Sequence, residues 1–234
     1  MRIAQGLLTP QAQAQVQAAL APGEALAGLA SWADDIRKVR PETGPWHYVD
    51  IPLNSTGLDM MRDCPKGNCV IAKIEEFRDR WRNPSVSAEG RREALLFLVH
   101  FVGDMHQPLH CVDNSDQGGN QVPVVFQGSA TNLHALWDFG LLRTMRAEDE
   151  LLGQLQQAIT PQVVTEWSRG TVEQWAMESW RTAQTSVYGP LPAHTPDQPV
   201  QLGEGYAKMA QPVVEQQIEK AGVRLAAILN ASAQ

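Results

Sequence analysis

The chain has 234 residues, 43% of them hydrophobic, which allows a substantial core in one large domain or two small ones. No apolar run reaches the roughly 18 residues of a transmembrane helix, which excludes a helical membrane span. The formal net charge of -7 repels a polyanion, so a nucleic-acid role requires a local positive centre, which a bound metal supplies.

Ile3-Ala4-Gln5-Gly6-Leu7-Leu8 carries no apolar stretch long enough for a secretory leader. It reads as the middle of a helix, because no capping residue precedes it, and the expectation is that the chain is a shortened form. Thr9-Pro10 then starts a helix, with Thr as cap and Pro at the first helical position. That helix runs through Val16 to about Leu20, and Ala21-Pro22-Gly23 ends it. A second helix is expected over about 24–39, with Leu26, Leu29, Ala30, Ala33 and Ile36 as its apolar stripe. Asp34 and Arg37, three apart, are neighbours on its surface, where a solvated ion pair accounts for them.

Residues 41–52 read as extended or looped, with His47-Tyr48-Val49-Asp50 alternating polar and apolar until Pro52 stops any strand. Residues 54–68 form a loop holding Cys64 and Cys69 around Pro-Lys-Gly-Asn. The two are either a disulfide, pointing to an oxidising compartment, or two free thiols. Val70 to about Trp81 is helical, and Asn83-Pro84-Ser85 breaks it.

The segment from Ala94 to His110 organises the chain. Its apolar run has helical character, and His100 and Asp104, four apart, share a face that would otherwise be core. Pro108 ends the helix, leaving His110 in the exit segment, free to turn back toward them. Three ligand-type side chains so arranged suggest a metal. Cys111 is either a further ligand or a small buried thiol.

Residues 114–120 are turn-rich, and Gln121 to Phe126 reads as a short strand. Thr131 can cap a following helix in which His134 and Asp138 are again four apart. One His-x-x-x-Asp is matched by an ordinary surface pair; two copies, with His110 beside the first, favour a metal centre. Five of the six histidines lie between His47 and His134, and imidazole with carboxylate oxygen suits zinc. Thr160-Pro161 starts helices covering most of 162–188. Residues 189–199 carry four prolines and an exposed His194. A last helix spans about 204–229, bent or interrupted at Pro212. The fold expected is one all-α domain, residues 1–234, with a small β element near 121–126.

The chain resembles the S1/P1 nuclease family, zinc-dependent single-strand nucleases related in fold to bacterial zinc phospholipase C. The resemblance rests on Ser31-Trp32-Ala33-Asp34-Asp35-Ile36-Arg37, His47-Tyr48-Val49-Asp50, the block from His100 to His110, Gly118-Gly119-Asn120, Asn132-Leu133-His134 through Trp137-Asp138, and Ala221-Gly222-Val223-Arg224-Leu225-Ala226. It implies three zinc ions. Asp34, His47, His100 and Asp104 would hold the first, and His110, His134 and Asp138 the second; Asp104 would also bridge to the third. Asp34, Arg37 and Asp104 are the catalytic residues it implies, with Arg37 steadying the transition-state phosphate. Tyr48 would stack a base and Asp50 hydrogen-bond it, and Cys64 and Cys69 match a family disulfide. The N-terminal Trp and His that complete the third site have no counterpart before Asp34, so two complete zinc sites are expected.

The activity implied is endonucleolytic cleavage of single-stranded DNA and RNA to 5′-phosphorylated products, together with 3′-nucleotidase action on nucleotides. The protein would be a secreted or periplasmic monomer. Two alternatives stand beside it: a phospholipase C-like phosphodiesterase, and an inactive two-zinc truncated form. The residue chemistry suits phosphodiester hydrolysis, which needs an activated water and charge on the phosphate oxygens. Arg donors match phosphate geometry. An aromatic platform takes any unpaired base, worth about 1–3 kcal/mol, and a duplex hides its bases.

Overall fold

The computed structural model describes residues 1–193 and 198–233; His194 lies outside them. The helix on which the others are laid begins at Ser87, whose Oγ accepts from the Gly90 N–H at 3.1 Å. It ends at Gln107, because Pro108 cannot continue it. In chain order the helices are α1 (Arg2–Gly6), α2 (Pro10–Ala19), α3 (Trp32–Ile36), α4 (Met60–Asp63), α5 (Val70–Arg82), α6 (Ala88–His106), α7 (Leu133–Ala135), α8 (Glu148–Ala158), α9 (Pro161–Trp167), α10 (Val172–Thr182) and α11 (Glu204–Ala231). Among the described residues three strands complete the fold, β1 (Pro123–Phe126), β2 (Ser129–Asn132) and β3 (Val200–Leu202). The protein is thus all-α with one small sheet.

From Ala94 to Val102, α6 is buried on nearly every side, with only His100 among these residues half-buried, as befits a helix enclosed by others. Helices α2, α3, α5, α10 and α11 pack on it. Phe97 is the hub of an aromatic cluster: it stacks on Phe77 of α5 with centroids 4.5 Å apart and on Phe101 at 5.1 Å. Trp32 and Trp46 meet its ring edge-on, so the two segments that precede α5 are fastened to α6. At the far end, buried Arg224 of α11 donates to His106 Nε2 at 2.9 Å and to Glu178 of α10. His106 Nδ1 donates to the Val102 carbonyl, and burial beside Arg224 pushes the ring pKa down to about 3. It is therefore a neutral acceptor that joins α6, α10 and α11.

The sheet runs β2-β1-β3, with β1 antiparallel to β2 and parallel to β3. Gln127 and Gly128, both at positive φ, form the two-residue turn between β1 and β2, the backbone that such hairpins require. Only β1 was expected from sequence; β2 and the three-residue β3 are additions.

Several expected elements are corrected. The helix expected over 24–39 is two pieces, a 3₁₀ turn at Leu26–Leu29 and then α3. Gly28 weakens its middle, and the break leaves the Ala30 carbonyl to accept from His100 rather than from its own helix. Asn132, not Thr131, caps α7: Asn132 Oδ1 accepts from the Ala135 N–H at 2.7 Å, while Thr131 is in β2. Helix α7 then widens into a π-turn at Leu136–Gly140. A 3₁₀ helix occupies Pro41–His47 where loop was expected, and α8 is a further addition. Of the bend or interruption expected at Pro212, the interruption is absent: α11 runs through this exposed residue.

Phe97→Ala is expected to lower unfolding free energy by about 3–5 kcal/mol, from lost burial plus the cavity left among the four aromatic rings around it. Urea denaturation of the EDTA-treated protein measures it.

Candidate metal centre

The π-turn, the 3₁₀ turns and α6 converge on one cluster. Asp34, His47 and His100 form a first trio, and His110, His134 and Asp138 a second, with the ligand atoms of each trio within 4.8 Å of one another. Asp104 stands between them. Its Oδ2 lies 2.8 Å from His47 Nδ1 and 3.1 Å from His100 Nε2, while its Oδ1 lies 3.7 Å from His110 Nδ1. His100 Nε2 is also 3.1 Å from His47 Nδ1 and 3.7 Å from Asp34 Oδ2. In the second trio, Asp138 Oδ1 is 3.6 Å from His110 Nε2 and its Oδ2 is 3.4 Å from His134 Nε2. The seven residues expected to hold metal are therefore together.

The tautomers suit cation binding. A carbonyl can only accept, so a ring nitrogen bonded to one must carry its proton. His100 Nδ1 donates to Ala30 O at 2.7 Å, His110 Nδ1 to His47 O at 2.9 Å, and His134 Nδ1 to Gly118 O at 2.8 Å. In each case Nε2 is the nitrogen turned toward the carboxylates, and in the neutral ring it carries the lone pair that a metal takes, the arrangement found behind metal-binding imidazoles. His47 is reversed: Nδ1 faces the cluster, and its buried Nε2 has no hydrogen-bond partner. Gly118 is required for this geometry. At φ +58, a Cβ there would lie 2.6 Å from the Leu109 carbonyl and 3.6 Å from His134 Nδ1.

The metal-free charges tell the same story. Burial opposes charge on Asp104, but His110, and the hydrogen bonds from His100 and His47, outweigh it and hold the carboxyl well below the usual range. Burial likewise opposes a proton on His100, yet the hydrogen bond and charge of Asp104 push its pKa up to about 9. His110 is raised against burial by Asp104 and Asp138. His134, stacked on His110 with centroids 5.0 Å apart, is lowered by burial and by that neighbour. Without a metal the carboxylates hold protons on His100 and His110; a divalent cation can supply that positive charge instead.

The cluster opens on a pocket of about 480 Å³ whose wall includes Arg37, Tyr48, Asp50, Asp113 and Asn120. Arg37 Nη2 lies 3.5 Å from Asp34 Oδ1, and both side chains are about half exposed, so the guanidinium is free to reorient. Tyr48 is 40% exposed at the rim. Asp50 loses part of its hydration to the pocket wall and faces the charges of Asp113 and Asp63, which together push its pKa up to about 6. A larger cleft of about 800 Å³ lies elsewhere, between α9, α10 and α11, and contains none of the predicted site residues. Its central acid, Glu178, is already engaged by Lys220 and Arg224.

The segment after His47 fixes the pocket to the metal cluster through main-chain bonds. Val49 N donates to His110 O at 2.8 Å, Asp113 N to Ile51 O at 3.0 Å, and Leu53 N to Asp113 O at 2.8 Å. Cys64 and Cys69 form a disulfide, and Val70, directly after it, donates to Tyr48 O at 3.0 Å. Cys111 is a free, buried thiol donating to Met105 O at 3.3 Å and belongs to neither trio. Sequence reasoning missed Gln107, whose amide donates to Asp138; its place just before Pro-Leu-His was the only available signal. It also missed the backbone carbonyls of Ala30, His47 and Gly118, which leave no trace in side-chain patterns.

The S1/P1 Nuclease family model matches residues 1–234. Nuclease PA3 of Penicillium sp is 32% identical over 257 residues, covering 97% of this chain and 93% of its own. Endonuclease 2 of Arabidopsis thaliana is 31% identical over 231 residues, 88% of this chain and 77% of its own. Nuclease P1 of Penicillium citrinum is 39% identical over 145 residues, 58% and 53% of the two chains.

Uptake of a divalent metal by the EDTA-treated protein at neutral pH is expected to release protons, because His100 holds one below about pH 9. Calorimetry in buffers of different ionisation enthalpy counts them. The sign for stability follows from the raised pKa. The His100 pairing stabilises the metal-free fold fully below its ordinary 6.5 and is lost as pH rises through about 9, which urea unfolding across that window measures.

Proposed function

Since the chain belongs to the S1/P1 nuclease family, and so is a hydrolase of phosphodiester bonds, we propose that it is a zinc-dependent endonuclease. Its substrates are single-stranded DNA and RNA, its products carry 5′-phosphates, and 3′-nucleotidase action uses the same pocket. The observation that carries this reading is the pair of His/Asp trios flanking Asp104 and opening on a wall of Arg37, Tyr48 and Asp50.

Zinc fits the donor set of imidazole nitrogens and carboxylate oxygens. Asp34, His47, His100 and Asp104 would hold one ion, and His110, His134 and Asp138 another. When bound, the metal supplies Lewis acidity, which activates water near neutral pH and offsets charge on phosphate oxygens. The chain's own residues do the rest. Asp104 keeps the two trios in a fixed relation. Arg37 turns from Asp34 to the phosphate, where its fork of donors matches two oxygens. Tyr48 offers a ring at the pocket rim for an unpaired base, and Asp50 hydrogen-bonds that base's edge. Bases inside a duplex cannot reach either residue, which is the physical ground for single-strand preference. With a net charge of -7, attraction of the polyanion falls to the cluster and Arg37 rather than to the whole surface.

The disulfide agrees with a protein working in an oxidising compartment, and we take it to be a secreted or periplasmic monomer. Among the described residues no helix is long and apolar enough to cross a membrane.

The deciding experiment compares single-stranded DNA, duplex DNA and phosphatidylcholine as substrates before and after EDTA, with zinc counted by elemental analysis. Selective, zinc-restored cleavage of the single strand is expected. Release of the lipid headgroup without DNA cleavage would indicate the phospholipase C-like chemistry.

Asp104→Asn is expected to cost more activity than Asp50→Asn. The first weakens contacts to both trios, whereas the second alters a single base contact, worth about 1–3 kcal/mol at most. Asp50→Asn is also expected to remove an inflection near pH 6 from the kcat/KM profile, the value at which the Asp50 carboxyl titrates. Initial rates on single-stranded DNA across pH read both effects.

A further inference from the structure

We infer that Gln107 is a positioning residue for the second trio, holding the Asp138 carboxylate and the His110 turn in register through the two ends of one side-chain amide. The inference rests on the functional reading above, and it concerns how the chain builds the site rather than which groups bind.

Gln107 terminates α6 and caps the 3₁₀ turn Pro108–Cys111 that carries His110. Its Oε1 accepts from the Leu109 N–H at 2.6 Å, and its Nε2 donates to Asp138 Oδ1 at 2.7 Å. The orientation of the amide is chemically determined. Turning it over would set its oxygen against a carboxylate oxygen and its NH₂ against a backbone N–H, leaving both contacts repulsive. The main chain of the same residue adds two more ties: its N–H donates to Asp104 O at 2.9 Å, and its carbonyl accepts from the His110 N–H at 3.0 Å. One residue therefore bonds to Asp104 of the bridge, to His110 and Asp138 of the second trio, and to Leu109 in the turn that leads to His110.

The consequence for Asp138 is a choice between its two oxygens. Oδ1 is engaged by Gln107, which fixes the carboxylate plane and leaves Oδ2 facing His134 Nε2 at 3.4 Å. A carboxylate set inside a π-turn needs such a restraint, because its own backbone segment departs from regular α-helical spacing. Hydrogen bonds of this kind behind a ligating carboxylate typically change metal affinity about 10- to 100-fold when removed.

Two variants separate the ends of the amide. Gln107→Glu keeps an acceptor for the Leu109 N–H but offers Asp138 no donor. Gln107→Met keeps the length and loses both. Zinc affinity is measured by chelator competition, the site's geometry by the visible absorption of the Co²⁺-loaded protein, and kcat and KM separately on single-stranded DNA. Both variants are expected to retain one zinc at wild-type affinity and to hold the other about 10- to 100-fold more weakly. Their Co²⁺ bands should be altered, and kcat should fall while KM stays unchanged. Unchanged or tighter zinc binding in Gln107→Glu overturns the inference, and so does weakening confined to Gln107→Met, which would make the residue a turn cap alone. Wild-type protein that binds two zincs without cutting nucleic acid refutes the functional reading, while the affinity comparison still decides the role of Gln107. Wild-type protein that binds no zinc overturns both.

Discussion

One buried carboxylate sets the terms for the rest of the molecule. Asp104 is only 14% exposed, yet it keeps its charge because three imidazoles converge on it. An unpaired carboxylate at that depth would take up a proton, since desolvation disfavours the charged form. Every element that carries an imidazole to Asp104 therefore contributes to its ionisation: α6 through His100, the Pro41–His47 turn through His47, and the segment after Pro108 through His110. The reverse also holds. Those three rings keep their orientation because a fixed negative charge lies at their centre. The aromatic cluster around Phe97 supplies the rigidity on which this mutual arrangement rests, one turn before His100 on the same helix.

The second constraint is the backbone. Three of the four cluster imidazoles are oriented by a carbonyl, and each carbonyl is free because the chain departs from regular structure at that point. Ala30 lies between a 3₁₀ turn and α3, His47 ends a 3₁₀ helix, and Gly118 sits in the left-handed region. A carbonyl inside an uninterrupted helix would already be accepting from its own chain. The irregular segments are thus what makes ring orientation possible, and the regular helices only bring the rings near one another.

This division explains what could be read from the sequence. The two His-x-x-x-Asp pairs were legible because a four-residue step returns to the same helix face, and this survives even where α7 widens into a π-turn. The end of α6 was legible because Pro108 blocks continuation. The break inside residues 24–39 was not, since its local pattern of Leu26, Leu29, Ala33 and Ile36 fits one helix. Gly28 alone does not force a break, and the tertiary bond from His100 to Ala30 accounts for the two pieces. Thr131 and Asn132 are both good caps, and choosing between them required knowing that β2 runs one residue past Thr131, so that its last residue, Asn132, stands at the helix start. Strand β3 is three residues long and joins β1 from far along the chain, too short for any periodic signal. Helix α8 was missed despite Glu148, Asp149 and Glu150 in its first turn, a charge pattern that marks a helix start. Gln107 was passed over because its role depends on Asp138, which arrives from another part of the chain.

The main-chain ladder between residues 49–53 and 110–113 separates two kinds of change. Val49 and Ile51 are buried under it, while Tyr48 and Asp50 alternate with them and look into the pocket. The rungs are backbone groups, so they persist whatever side chains stand at the two outward positions. The side chains at these two outward positions can therefore be exchanged without breaking the rungs that hold the His110 segment in place. Pocket wall and imidazole cluster are carried on one ribbon yet can be altered separately.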